Sequence, residues 1–187
     1  MTDAPTTIDL PGYRAGTWVL DPVHSEVRFT VRHLMISKVR GVFAVKSATI
    51  EAPANPLEAK VTASAEVASI DTKDEGRDTH LRSADFFDAE QFPTIDFVST
   101  GVRVEGGDFL VDGELTLHGV TKPVTFTVEF GGFGTDPWGN YKAGATATAV
   151  IDREDFGLTW NAALETGGVL VGKDVTIELD LQGSVQA

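Results

Sequence analysis

Cysteine is absent from this chain, which removes disulfides, thiolate nucleophiles and Cys-ligated metals from consideration and fits a reducing compartment. Long apolar runs are absent too. No window reaches the roughly 18 consecutive apolar residues that a membrane-spanning helix needs. The opening, Met-Thr-Asp-Ala-Pro-Thr-Thr-Ile-Asp-Leu-Pro, has neither a basic nor an apolar segment, so it does not read as a signal peptide, and a chain starting so at Met1 reads as cytoplasmic. Basic residues are scarce: 15 Lys and Arg stand against 28 Asp and Glu, a net charge of -13. That field repels phosphate backbones and anionic lipid headgroups, which excludes nucleic acid as a partner and argues against permanent electrostatic attachment to a membrane.

What is present is β-structure. The 187 residues make one domain. Threonine, valine and glycine are abundant, and turn residues recur at short spacing. The stretch from Ser25 sets the pattern: Val27, Phe29, Val31 and His33 share one parity, and Glu26, Arg28, Thr30 and Arg32 the other, as in a half-buried antiparallel strand. A first strand opening at Gly16-Thr17-Trp18 is interrupted by Asp21-Pro22 and resumes at Ser25, with Trp18 placed to plug one barrel end. Further strands fall near 39–51, 58–70, 95–105, 109–118, 124–133, 141–152 and 175–186. One helical segment, near 74–83, follows the capping-box pattern Thr72-Lys-Asp-Glu75 and runs into Asp85-Phe86-Phe87 before Phe92-Pro93 stops it. The expected fold is therefore all-β: an eight-stranded antiparallel barrel whose closure removes its edges, with a short helical lid over one end. Residues 1–15, broken by Pro5, Pro11 and Gly12, read as a flexible N-terminal tail, and 16–187 as a single barrel domain.

Side-chain size suggests what fills the barrel. On the strand 141–152, Ala143, Ala145, Ala147 and Ala149 share one face, and Gly144, Thr146 and Thr148 share the other, so either face pointing inward is small. Phe29, Phe43, Phe126, Val128 and Phe130 provide a large apolar wall opposite. Two readings of this pattern stand: a tapered apolar cavity, or ordinary large-against-small packing of a filled core.

Several segments carry a resemblance. Asp21-Pro22-x-His24-Ser25-x-x-x-Phe29-x-Val31-x-His33 with Arg40-Gly41-x-Phe43 is similar to the opening of the YceI-like family of polyisoprenoid-binding proteins. His80-Leu81-Arg82-Ser83-x-Asp85-Phe86-Phe87-Asp88, Leu115-Thr116-Leu117-x-Gly119-Val120-Thr121-Lys122-Pro123-Val124 and Arg153-x-Asp155-Phe156-Gly157-Leu158 follow in the family's order. The resemblance implies a lipocalin-like barrel that holds a polyisoprenoid or another long-chain lipid, and it favours the hollow reading. The expected function is a non-catalytic carrier without a cofactor or metal. The alternatives are an enzyme using mouth histidines as acid and base on an isoprenoid, and a structural barrel associated with stress.

The candidate ligand-binding set is Val27, Phe29, Val31, His33, Leu34, Met35, Ile36, Phe43, Phe126, Val128, Phe130, Ala145 and Ala147. Leu34-Met35-Ile36 is an apolar tip where a turn normally carries Gly, Asn or Asp, which suggests a ligand entrance and a transient membrane contact. His33 at that mouth either hydrogen-bonds a ligand head or is a core histidine satisfied by its neighbours. Asp21, His24 and Ser25 lie on one extended segment and do not converge as a catalytic triad. A metal site of His24, His33 and His80 has no supporting ligand spacing. Arg153 and Asp155 are expected to form an ion pair, 74–88 a solvated acidic face, and His118 an exposed side chain. A homodimer is left open.

Overall fold

A computed structural model describes residues 6–187; the first third of the predicted tail, residues 1–5, lies outside them. Ten strand segments occur: β1 (Gly16–Leu20), β2 (Glu26–His33), β3 (Ser37–Phe43), β4 (Val45–Ala52), β5 (Lys60–Glu66), β6 (Thr94–Glu105), β7 (Asp108–Leu117), β8 (Val120–Thr135), β9 (Tyr141–Asp152) and β10 (Val171–Val185). They build eight staves. β1 and β2 form one stave interrupted at 21–25, and β3 and β4 form the next, broken at Ala44. All pairings are antiparallel and join staves adjacent in the chain, except that the first stave, β1 and β2, closes the barrel on β10, with Trp18 opposite Val185 and Phe29 opposite Ile177. Closure leaves no long unpaired edge.

The interruption at 21–25 is repaired by side chains. The Asp21 N–H donates to the Gln182 carbonyl, and the buried Ser25 hydroxyl both donates to Gln182 O and accepts from its N–H. Ser25 therefore completes a sheet ladder. Pro123 sits within β8 rather than before it, opposite Glu114. β8 meets β9 only from Thr127 onward, so the proline's missing N–H costs no ladder bond on that side.

One end of the barrel gathers the β2–β3 hairpin, the β7–β8 turn, the segment 153–170 and the only α-helix among the described residues, α1 (Glu75–Arg82). The other end gathers the β8–β9 turn and residues 6–15. α1 begins one residue after the expected start near 74, and its N-cap is Asp74 rather than Thr72 of the box pattern, accepting from the Arg77 N–H at 2.8 Å. Thr72 serves a different group. Its N–H and hydroxyl both donate to Asp78, which is buried at 5 % exposure, so the acidic face expected at 74–88 has one member turned into the protein. Asp85-Phe86-Phe87 forms a turn rather than more helix, and it carries both phenylalanines to the barrel end.

Residues 10–14 are held against the other end. Tyr13 Oη donates to the Pro53 carbonyl at 2.6 Å, Tyr141 Oη donates to Gly12 O at 2.7 Å, and the Arg14 guanidinium lies 3.4 Å from the Tyr141 ring centre. Trp18, 5 % exposed, donates its indole N–H to Arg14 O and packs against Phe133 and Tyr141. It plugs this end as its position predicts.

Candidate functional site

The alternation along each stave decides the interior. On β9 the alanines face inward and Thr146 and Thr148 outward, so the small wall is the alanine one. Phe29 and Phe43 meet at 5.5 Å between ring centres, Phe97 and Phe126 at 5.2 Å, and Phe109 and Phe130 at 5.2 Å, all with tilted or edge-on rings. Two glycines make room for this wall. A Cβ at Gly41 would collide with the Phe29 ring, and one at Gly113 with the Phe97 ring. Neither conflict can be read from one strand alone, because glycine and ring lie on paired strands.

The result is a cavity of about 350 Å³, within the usual span for small-molecule sites. Of the residues predicted to bind, Val27, Phe29, Val31, Phe43, Phe126, Val128, Phe130, Ala145 and Ala147 line it. His33, Leu34, Met35 and Ile36 do not: the lining of their hairpin stops at Val31, and the tip projects beyond the rim. Reasoning by strand parity missed Phe97, Phe109, Phe133, Leu179 and the strap residues Leu10 and Tyr13. The two cavity ends differ. Near α1, Leu115, Leu117, Phe126, Ala147, Ile151 and Phe156 form a packed buried cluster, whereas Ala145 is only half-buried.

Arg153 is the main polar feature at the α1 end, and it makes no ion pair with Asp155. At 4 % exposure, its guanidinium donates to the carbonyls of Gly172 (2.8 Å), Trp160 (3.1 Å), Val171 (3.3 Å) and Leu158. Burial pulls its pKa down, while Glu154 and Asp152 oppose that. The sequence pattern could not show this cage, whose carbonyls come from the long segment before β10 and from the first two residues of β10.

The histidines are dispersed. His24 Nδ1 lies 2.7 Å from Asp21 Oδ2 outside the barrel, and that hydrogen bond is the first cause holding the Asp21 carboxyl below its usual range. His80 bonds Asp85 at 2.8 Å and meets the edges of Phe86 and Trp160. His118 is not the exposed side chain expected: it faces the Phe156 carbonyl at 3.1 Å and packs on Phe92. Among the described residues no group of three or more His, Asp or Glu could hold a metal ion.

Residues 18–183 match the YceI-like domain. The chain belongs to the YceI-like family. A UPF0312 protein of Staphylococcus aureus (strain MSSA476) is 41 % identical over 170 residues, covering 90 % of this chain and 97 % of that protein. Among solved structures, the Campylobacter jejuni YCEI protein superposes with a TM-score of 0.68 at 26 % identity, covering 83 % of this chain and 90 % of that one. Burkholderia cenocepacia BcnA gives 0.73 at 24 % identity, covering 87 % and 98 %. A polyisoprenoid binding domain from Saccharophagus degradans, implicated in plant cell wall breakdown, gives 0.63 at 15 % identity, covering 90 % and 98 %, a likeness of fold. This YceI-like chain thus shares the closed barrel with proteins whose sequences diverge widely.

Proposed function

We propose that this YceI-like barrel is a non-catalytic carrier that sequesters a polyisoprenoid or comparable long-chain lipid in its cavity. The observation that carries the proposal is the lining: aromatic and aliphatic side chains from nearly every stave, with Arg153 the charged side chain buried at one end, while Arg28 and Asp96 border the cavity from strand positions whose side chains face outward. Each buried methylene contributes about 0.8 kcal/mol. Association costs about 4 to 15 kcal/mol, so a ligand of several isoprene units suits such a wall better than a short one. The name of the Saccharophagus degradans neighbour adds the chemical class. An enzymatic reading with histidines as acid and base draws no support, since none of the four histidines lines the cavity.

Organic extraction of freshly purified protein followed by mass spectrometry tests the carrier reading. A stoichiometric long-chain lipid is the expected result. Protein that is repeatedly empty after mild purification, and that takes up no isoprenoid presented in detergent, would sink it.

A further inference from the structure

The β2–β3 hairpin differs in charge from the rest of the chain. From Val27 to Phe43 it carries four of the 15 basic residues, Arg28, Arg32, Lys38 and Arg40, and none of the 28 acidic ones. Its register puts all four on the outer side: Arg28 lies opposite Val42, Thr30 opposite Arg40, and Arg32 opposite Lys38. Arg28 is neutralised by Glu26, Glu178 and Asp180. Arg32, Lys38 and Arg40 are exposed and, among the described residues, pair with no carboxylate. Lys173 is also exposed and unpaired on the same terms, and it adjoins them, since the preceding Gly172 abuts Arg32.

Two like charges directly opposite each other, as at Arg32 and Lys38, weaken a sheet. The hairpin tip is equally unhelpful to folding. Leu34 and Met35 both have left-handed backbones, with φ of 53° and 62°, a conformation that apolar side chains disfavour. Leu34, Met35 and Ile36 are 38 %, 50 % and 83 % exposed, and Val169, beside Gly168 that packs on Met35, enlarges the apolar tip. The Leu34 N–H is tied to the Leu170 carbonyl, so the tip is held in place at the cavity rim.

We propose that this hairpin docks the barrel on an anionic lipid bilayer, with Leu34, Met35 and Ile36 in the interface and Arg32, Lys38, Arg40 and Lys173 among the headgroups. A bilayer surface is anionic above and apolar beneath, and the hairpin presents the same two layers in the matching order. Acids lie nearby as well: Asp71, bridged to Val42 of the hairpin, Glu165 in the loop closed by the Ala163–Val169 bridge, and Asp174 with Asp152 opposite it. The cationic face is therefore confined to the outer side of the hairpin and Lys173. The overall charge of -13 does not forbid the contact. Fields are screened over about 8 Å at physiological ionic strength. β10 alone spans roughly 50 Å at about 3.3 Å per residue, so the far acids act weakly at the tip. The docking deepens the carrier reading by bringing the cavity rim to a lipid source, yet it does not depend on what fills the cavity.

The test is flotation of the delipidated full chain with phosphatidylcholine vesicles and with vesicles that also contain phosphatidylglycerol. Wild type is expected to float with the anionic vesicles at low salt, to release as salt rises, and to ignore phosphatidylcholine alone. Each cation removed should weaken partitioning about fivefold. Arg32→Gln/Lys38→Gln/Arg40→Gln should therefore lose roughly a hundredfold while its melting temperature does not fall and its uptake of a fluorescent isoprenoid from detergent stays unchanged. Met35→Ser/Ile36→Ser should lose severalfold on the same vesicles. Equal flotation with both vesicle types, flotation with neither, or a triple variant that floats like wild type would overturn the proposal. So would a salt-sensitive dimer without flotation, which would make the hairpin a contact between copies. Flotation that persists in protein unable to take up isoprenoid supports docking and removes the carrier reading alone.

Discussion

The two ends of the barrel are closed by different means. The Trp18 end is sealed by stacked and edge-on rings, Trp18, Phe133, Tyr141 and Phe130, and strapped by residues 10–14 through hydrogen bonds to Pro53 and Tyr141. The α1 end combines a packed apolar cluster, a buried arginine in a cage of carbonyls and a hairpin tip with two left-handed apolar residues. The first end gains stability from nearly every group in it. The second retains costly features, a desolvated cation and a disfavoured backbone, and such features cluster at working sites. Function is therefore expected at the α1 end.

Trp18→Ala should have the largest effect, about 3 to 5 kcal/mol for a large buried ring, read as a fall in melting temperature. If it costs under about 1 kcal/mol, the Trp18 end is not the stability anchor. Arg153→Met follows: it strands buried carbonyls but also removes a desolvated cation, for a net cost of about 2 to 3 kcal/mol. At roughly 2 to 4 °C per kcal/mol, a loss near 5 to 10 °C is expected in thermal melts. Next comes a paired substitution inside the cavity. Ala147→Leu enters the packed cluster and should destabilise by about 1 to 3 kcal/mol, whereas Ala145→Leu enters the void, should melt like wild type and should bind a fluorescent isoprenoid less well. Equal destabilisation by both would mean that the barrel is filled throughout. Smallest is Leu34→Asn/Met35→Gly, which relieves left-handed strain of about 1 kcal/mol or more and should raise the midpoint of urea unfolding.

The architecture was largely legible because alternation is a local signal. Val27, Phe29 and Val31 could be placed inside from their own stretch, and so could Trp18 as a plug. Where side chains act across the chain, the reading fell short. Arg153 has two acids as sequence neighbours, yet its partners are backbone carbonyls at 158, 160, 171 and 172, and carbonyls leave no trace in residue type. Asp78 looked like one more solvated acid until Thr72 folded over it. His33 has the right parity for the cavity, but parity says nothing about where along the axis a cavity ends. The cationic hairpin was written plainly in 27–43 and was hidden by averaging charge over the whole chain.

The pairing of Trp18 with Val185 carries a consequence for how the molecule is made. The first stave cannot find its second neighbour until the last one has left the ribosome, so nearly the whole apolar interior must wait, unsealed, for the end of synthesis. Such non-local closure folds slowly and exposes unpaired β1 and β10 to other chains meanwhile. Removing the residues from Val171 onward would leave both β1 and β2 without that partner and would convert a closed cylinder into an open, self-associating sheet.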